Sequence, residues 1–325
     1  MIEYILRRGL YALPILLGVN IITFLLFFSI NSPDDMARIY LGDRHITQEQ
    51  VESWKEQRGY NKPLFINFEA EGTETLTDTI FFNKSLSLFW FEFGQSESGR
   101  DIGADIQQRM WPSLAIALPT LILGLMVNIT FALLMAFFRG RYVDYWGVIL
   151  CVAIMSISSL FYIIGGQFLF GKMLSLVPIS GYSPDGNSLK FLVLPVLIGV
   201  FSGIGAGSRW YRTIFLEEMG KEYVRTARSK GLSEARVLFK HVLRNGLIPI
   251  LTGVVVVLPM LFMGSLLVES FFGIPGLGSY TIEAIQSQDF AIVRAMVFLG
   301  AVLYIIGLLL TDISYTLVDP RVRLN

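Results

Sequence analysis

Few side chains in this sequence are suited to covalent chemistry. There is one cysteine, Cys151, and there are two histidines, His45 and His241. A lone cysteine excludes an internal disulfide, and packing is its simplest role. The patterns His-Glu-x-x-His, Cys-x-x-Cys and Gly-x-Ser-x-Gly are absent, which removes the commonest zinc-hydrolase, dithiol and serine-hydrolase signatures. Charge is scarce as well: 16% of residues are Asp, Glu, Lys or Arg, against 53% hydrophobic. One segment approaches a phosphate-binding loop, Gly166-Gln167-Phe168-Leu169-Phe170-Gly171-Lys172-Met173. Met173 stands where a Ser or Thr would hold Mg²⁺, and the segment ends an apolar run instead of following a strand. No ATP site, metal or cofactor is therefore expected on this chain, and it is not expected to be an enzyme.

What the sequence has in quantity is long apolar runs. Leu10–Ile30, Leu114–Phe138, Trp146–Phe170, Leu189–Gly207, Leu247–Val268 and Ile292–Leu317 each approach the roughly 20 residues needed to cross a bilayer as a helix. Strands are excluded, because a lipid-exposed strand leaves its backbone unsatisfied and the alternating pattern of a barrel is missing. The fold class is an all-α integral membrane protein with six transmembrane helices.

A formal net charge of zero conceals an asymmetry. Arg7 and Arg8 precede the first run, and Arg139 and Arg141 follow the second. Between the fourth and fifth lie Arg209, Arg212, Lys221, Arg225, Arg228, Lys230, Arg236, Lys240 and Arg244, and Arg321 and Arg323 follow the sixth. Positive-inside bias then puts both termini in the cytoplasm. The first helix lacks a small-residue cleavage site and is expected to stay as an uncleaved span. The organisation is residues 1–30 as N-terminus and first span, 31–112 as an extracytoplasmic segment, and 113–325 as a core of five spans carrying a cytoplasmic loop, 208–246. In the outer segment, 70–79 is acidic and polar, whereas Leu86–Phe93 is aromatic and suits an interfacial segment or a small cap.

Within the spans, Gly199, Gly203 and Gly207 form a face without side chains, suited to close helix approach. Pro14, Pro119, Pro195 and Pro259 interrupt four spans and are expected to kink them. Candidate polar groups at depth are few. Glu269 and Asp312 sit near span ends, and Asn128 is the candidate for a substrate path, although an interhelical hydrogen bond is the favoured reading of it. This scarcity counts against an ion-driven carrier, the rival from another class.

The inner loop is the specific part. Ile214 to Arg244 reads IFLEEMGKEYVRTARSKGLSEARVLFKHVLR. Glu217–Lys230 predicts a helix ended by Gly231 in the left-handed conformation. Ser233 predicts the N-cap of a second helix running from Glu234 to about Arg244. Tyr223 and Ala227 share one face of the first helix, with Val224 and Arg228 on the adjacent one. Such a helix suits a groove on a partner protein, with membrane-surface binding by the basic residues or simple positive-inside bias as the bland alternatives.

The stretch Glu222-Tyr223-Val224-Arg225-Thr226-Ala227-Arg228-Ser229-Lys230-Gly231, followed by His241-Val242-Leu243-Arg244-Asn245 and Leu247-Ile248-Pro249, resembles the cytoplasmic loop of binding-protein-dependent ABC transporter permeases. More narrowly, it is similar to the dipeptide/oligopeptide/nickel branch (DppB/OppB-type). The likeness extends to Leu6-Arg7-Arg8, Asn61-Lys62-Pro63-Leu64, Phe272-Gly273-Ile274-Pro275-Gly276-Leu277-Gly278 and Val318-Asp319-Pro320-Arg321. It departs where Thr226 replaces the first of two loop alanines and where the later proline is displaced to Pro249. The resemblance implies the ABC importer type I permease fold in the cell inner membrane. It implies as partners a second homologous permease, two cytoplasmic ATPase subunits and an extracytoplasmic solute-binding protein, with membrane lipid around the spans and no nucleic acid. Glu222, Tyr223, Val224, Arg225, Ala227 and Gly231 would then dock on an ATPase. The implied solute is a di- or oligopeptide, with nickel chelates, glutathione and antimicrobial peptides as alternatives.

Overall fold

A computed structural model describes residues 2–42, 46–68, 70–183 and 188–318. His45, Glu69, Arg323 and the Asp319-Pro320-Arg321 part of the terminal motif lie outside the described residues. The described structure is helical, with a single antiparallel bridge between Gln95 and Asp101. The chain divides into two compact units, one made of Met1–Gln108 with Thr281–Ile305 and the other of Arg109–Tyr280 with Ile306–Leu324.

The first unit begins with α1 (Ile2–Ile30), which runs through Pro14 without a break. Two short helices follow, each started by a capping box that the sequence spells out. Ser32 and Asp35 bracket the start of α2 (Pro33–Leu41), and Thr47 and Gln50 do the same for α3 (Gln48–Arg58). Gly59, in the left-handed conformation, ends α3. Two further turns, α4 (Glu74–Thr77) and α5 (Ile80–Lys84), lead into the 3₁₀ segment Leu86–Trp90. These elements share a core. Phe24 of α1 packs with Met36, Ala37, Val51, Trp54, Tyr60 and Ile80, and Trp54 stacks on Tyr60 at 5.5 Å. The segment after α1 thus folds as a small unit with its own apolar core. The acidic stretch before Asp78 belongs to it, since the Asn67 N–H donates to the Thr75 carbonyl at 2.9 Å. Of the aromatic run, Leu88 is buried, while Trp90 and Phe91 are exposed.

The helix α6 (Ile102–Phe137) starts earlier than the apolar run that announced it. Its 36 residues make it about 54 Å long, well beyond a hydrocarbon core of about 30 Å. The third expected span is broken into α7 (Tyr142–Ser156) and α8 (Ser159–Gly166), the latter continued by π turns over Gln167–Met173. The two arms meet at 86°. Two successive extended residues, Ile157 and Ser158, turn the chain there. The near match to a phosphate-binding loop is helical throughout. The fourth span is α9 (Ser188–Met219), which passes Pro195 unbroken.

In the second unit two of the three glycines on the α9 face, Gly199 and Gly207, meet this chain's own helices. A Cβ on Gly199 would stand 2.8 Å from Thr120, and one on Gly205 would stand 2.5 Å from the Cys151 carbonyl oxygen. Gly207 is packed against Asn128, whereas Gly203 faces open space. Cys151 is fully buried at this contact, as packing requires.

The prolines do not mark the breaks. Pro14, Pro119 and Pro195 lie inside continuous helices; only Pro259 coincides with an interruption. There the expected fifth span ends, and Pro259–Met263 forms a 3₁₀ turn. After it come α13 (Leu266–Phe272) and α14 (Leu277–Gln286), bent by 67°. Each is too short to cross a bilayer alone. The last helix, α15 (Phe290–Val318), is a full span. Among the described residues, five helices can cross a membrane by length and composition, or up to seven if the two bent pairs, α7–α8 and the one ending in α14, each make one span.

The turn between α13 and α14 explains the Phe272–Gly278 motif. Glu269 is buried, and its carboxylate accepts the backbone N–H groups of Ser265 and Ser279, each at 3.1 Å. The Ser113 hydroxyl also bonds it and accepts the Leu277 N–H at 2.8 Å. Gly264 and Gly276 lie against this carboxylate, where a Cβ would collide. Glu269 is therefore a structural group that holds a turn, not a carboxylate awaiting an ion.

Candidate functional site

The basic loop is built from three pieces. α9 continues to Met219, so Glu217 and Glu218 belong to it and not to the loop helix. After a turn at Gly220 comes α10 (Glu222–Ser229). Gly231, at φ +76°, follows its C-cap Lys230. The Leu232 N–H donates to the Ala227 carbonyl at 3.3 Å and the Gly231 N–H to the Arg228 carbonyl at 2.9 Å. Those two bonds make a Schellman motif, so the left-handed glycine ends α10 as its position predicts.

The second arm differs from expectation. Ser233 is extended and precedes α11 (Glu234–Val237), but its hydroxyl caps nothing. Nor does the helix stop near Arg244. It passes through π turns over Leu238–Val242 into α12 (Leu243–Val257). The reason is apolar burial. Val237, Leu238 and Val242 join Tyr211 and Phe215 of α9, Ala132, Leu133 and Ala136 of α6, and Ile250 in one core. Gly246 allows α12 to approach Phe215.

The same core takes up one face of α10. Val224 is fully buried and Ala227 is 5% exposed, both within this cluster. Tyr223 is half-buried, and its hydroxyl donates to Glu218 of α9. Burial and that carboxylate push its phenol up to about 12. These three residues, expected on the docking face, instead fix α10 to its own spans. Glu222, Arg225 and Gly231 are exposed. Arg225 donates to Glu222 at 2.7 Å, leaving a polar, charged outer face with Thr226 and Ser229. Periodicity had grouped the small and aromatic residues correctly; only the body they face was different.

Asn128 is 9% exposed, and its side-chain oxygen accepts from the Ser208 hydroxyl at 3.0 Å. This is the interhelical hydrogen bond between α6 and α9 that sequence reasoning favoured over a substrate contact.

One residue escaped sequence reasoning. Asp144, at the start of α7, forks onto Arg212 of α9, with Nε at 2.7 Å and Nη2 at 2.9 Å. It also accepts the Gly140 N–H at 3.0 Å. The short loop after α6 is thereby tied to the base of the long one. A lone acid beside Arg139 and Arg141 was the available signal.

A helical membrane protein with a short polar helix clamped to its spans by one apolar face is the class this architecture defines. Residues 128–324 match the family described as binding-protein-dependent transport system inner membrane component, and residues 1–87 match that family's N-terminal component. The chain is 30% identical to the oligopeptide transport system permease protein AppB of Bacillus subtilis, over 99% of this chain and 100% of that protein. It is also 30% identical to the dipeptide transport system permease protein DppB of Lactococcus lactis, over the whole of both. The chain belongs to the binding-protein-dependent transport system inner membrane component family. It is a multi-pass inner-membrane transport subunit.

Proposed function

We propose that this chain is a transmembrane permease subunit of an ATP-driven importer of di- and oligopeptides. It works with a second homologous permease, two cytoplasmic ATPase subunits and an extracytoplasmic solute-binding protein. The names of the relatives that match it end to end support the peptide assignment. The charge asymmetry supports placing the loop and both termini on the cytoplasmic side, with residues 31–112 outside and the core in 113–325.

The observation that carries the mechanism is the two-sided nature of α10. Its inner face, Val224 and Ala227, is sealed into a core shared with α6, α9 and α12. Its outer face presents Glu222, Arg225 and Thr226, followed by the Gly231 turn. A partner that grips the outer face and moves pulls on α9 and α12 through close-packed side chains, which transmit displacement because such interiors compress little. ATPase docking thus belongs to Glu222, Arg225 and Gly231, while Tyr223, Val224 and Ala227 act as anchors. ATPase closure would tip the spans between inward- and outward-facing states.

Reconstitution tests this. The chain with its partner permease, ATPases and binding protein in liposomes should accumulate a labelled dipeptide only with ATP inside the ATPase compartment. Accumulation by the purified chain alone, driven by an ion gradient, would sink the proposal.

A further inference from the structure

In the first unit a cavity of ≈ 280 Å³ is lined by Arg58, Lys62, Lys84 and Arg294, with Asn83 and Gln95 as neutral polar neighbours. Local structure brings each cation there. Arg58 ends α3, and its guanidinium lies 4.6 and 4.9 Å from the ring centroids of Tyr40 and Trp54. Lys84 ends α5, with its ammonium 5.1 Å from the Tyr60 ring centroid. Arg294 stands in the first turns of α15 and is only 6% exposed.

Not all of these charges are answered. Arg58 pairs with Glu97 at 3.0 Å, and Lys62 pairs with Asp78 at 2.7 Å. Asp289 accepts the backbone N–H groups of Glu97 at 2.9 Å and Ile292 at 3.2 Å, and its charge also acts on Arg294. Among the described residues, the Arg294 Nε has no hydrogen-bond partner. Lys84 forms no ion pair there either, and burial and the charge of Arg294, against the pull of Glu97 and with the further push of Arg58, hold its pKa below the ordinary lysine value. A buried guanidinium with an unused N–H beside a partly buried ammonium is costly without an anionic partner.

We propose that this cavity is a binding site for a small carboxylate, held between Arg294 and Lys84. The charge count selects a monoanion. Four cations face Glu97, Asp78 and Asp289, so one positive charge is left over, and a phosphate at about −1.5 to −2 would overcompensate it. The carboxylate has two sources, the C-terminus of a free peptide or an acidic side chain of a docked protein.

Saturation-transfer NMR on the full chain in phosphatidylcholine nanodiscs, at constant ionic strength, tests the site with acetate, dialanine, dialanine amide and methyl phosphate. Acetate and dialanine should show transfer, and the amide should bind about tenfold more weakly. Lys84→Gln and Arg294→Gln should each weaken carboxylate binding about tenfold. Lys240→Gln, on the exposed part of the basic loop, should leave it unchanged. Dialanine binding well above acetate assigns the site to a free peptide; equal binding assigns it to an acidic side chain. Three results overturn the proposal: no transfer from wild type, undiminished transfer with Lys84→Gln, or methyl phosphate binding more tightly than acetate. Lys84 sits at the cavity wall, so its variant stays informative if Arg294→Gln fails to fold.

Discussion

Arg228 and Glu234 grip one another across Gly231, with the guanidinium Nε and Nη2 donating to the two carboxylate oxygens at 2.9 and 3.1 Å. The fork joins α10 to α11 over the left-handed turn. Solvent reaches 38% of the arginine side chain and 58% of the glutamate, so screening limits the pair to about 1 kcal/mol or less. The glycine matters more. Gly231→Val forces a β-branched residue to φ +76° and should cost about 1–2 kcal/mol. Gly231→Asn should be milder, because Asn tolerates that region. Thermal unfolding of the purified variants measures both, and a Gly231→Val chain as stable as wild type would contradict the left-handed turn.

The two faces of α10 should separate stability from partner binding. Val224→Asp or Ala227→Glu puts an unpaired charge into the α6–α9–α12 core and should cost about 3 kcal/mol or more. Arg225→Ala and Glu222→Ala should alter stability by less than about 0.5 kcal/mol, as exposed substitutions do, while reducing copurification of the ATPase. Equal ATPase recovery from wild type and the Glu222→Ala/Arg225→Ala double variant would show that docking lies elsewhere.

Asp144 and Arg212 form a more sheltered pair, with 9% and 23% of their side chains exposed. Asp144→Ala leaves a guanidinium half-buried without its fork and should cost about 2 kcal/mol. Arg212→Ala should cost a similar amount. The double variant should cost less than the sum, because the second substitution removes a group already unpaired. A double-variant cycle by thermal unfolding checks this; strict additivity would mean the contact contributes nothing.

Glu97 gives the first unit a pH dependence. Burial, then the neighbouring Asp289 carboxylate, raise its pKa above the ordinary value of 4.5, against the opposing pull of Arg58 and Lys84. The folded state therefore holds a proton that the unfolded state releases. That contribution is present at pH below 4.5 and is lost as pH rises through the higher folded value. Glu97→Gln should flatten the fall in stability across this window. Unfolding curves from pH 4 upward would show it, and an unchanged slope in the variant would rule out Glu97 as its source.

Several features followed from local rules and could be seen without coordinates. The apolar runs located the spans because a bilayer imposes a minimum length. Gly231 placed the end of α10 because capping depends on residues within a few positions of one another. The breaks were not visible. Ile157–Ser158 carries no proline or glycine, so nothing in the local sequence marks the two extended residues that turn the chain there. Pro119 and Pro195, which looked like breaks, are absorbed into α6 and α9.

The sequence by itself determined that this chain is a membrane-spanning helical protein with one basic, helix-forming loop, because hydrophobic length, charge asymmetry and capping are written along the chain. Only the tertiary structure decided which face of that loop is free. Helical spacing puts Tyr223 and Ala227 on one face and Val224 on the adjacent one, but cannot say whether their apolar neighbour is a partner or the chain itself. Phe215, Val237 and Val242 supply that neighbour from distant positions. Likewise, Asp144 finds Arg212, and Lys84 meets Arg294, only after the helices have packed, since contacts between residues far apart in sequence exist only in the folded chain.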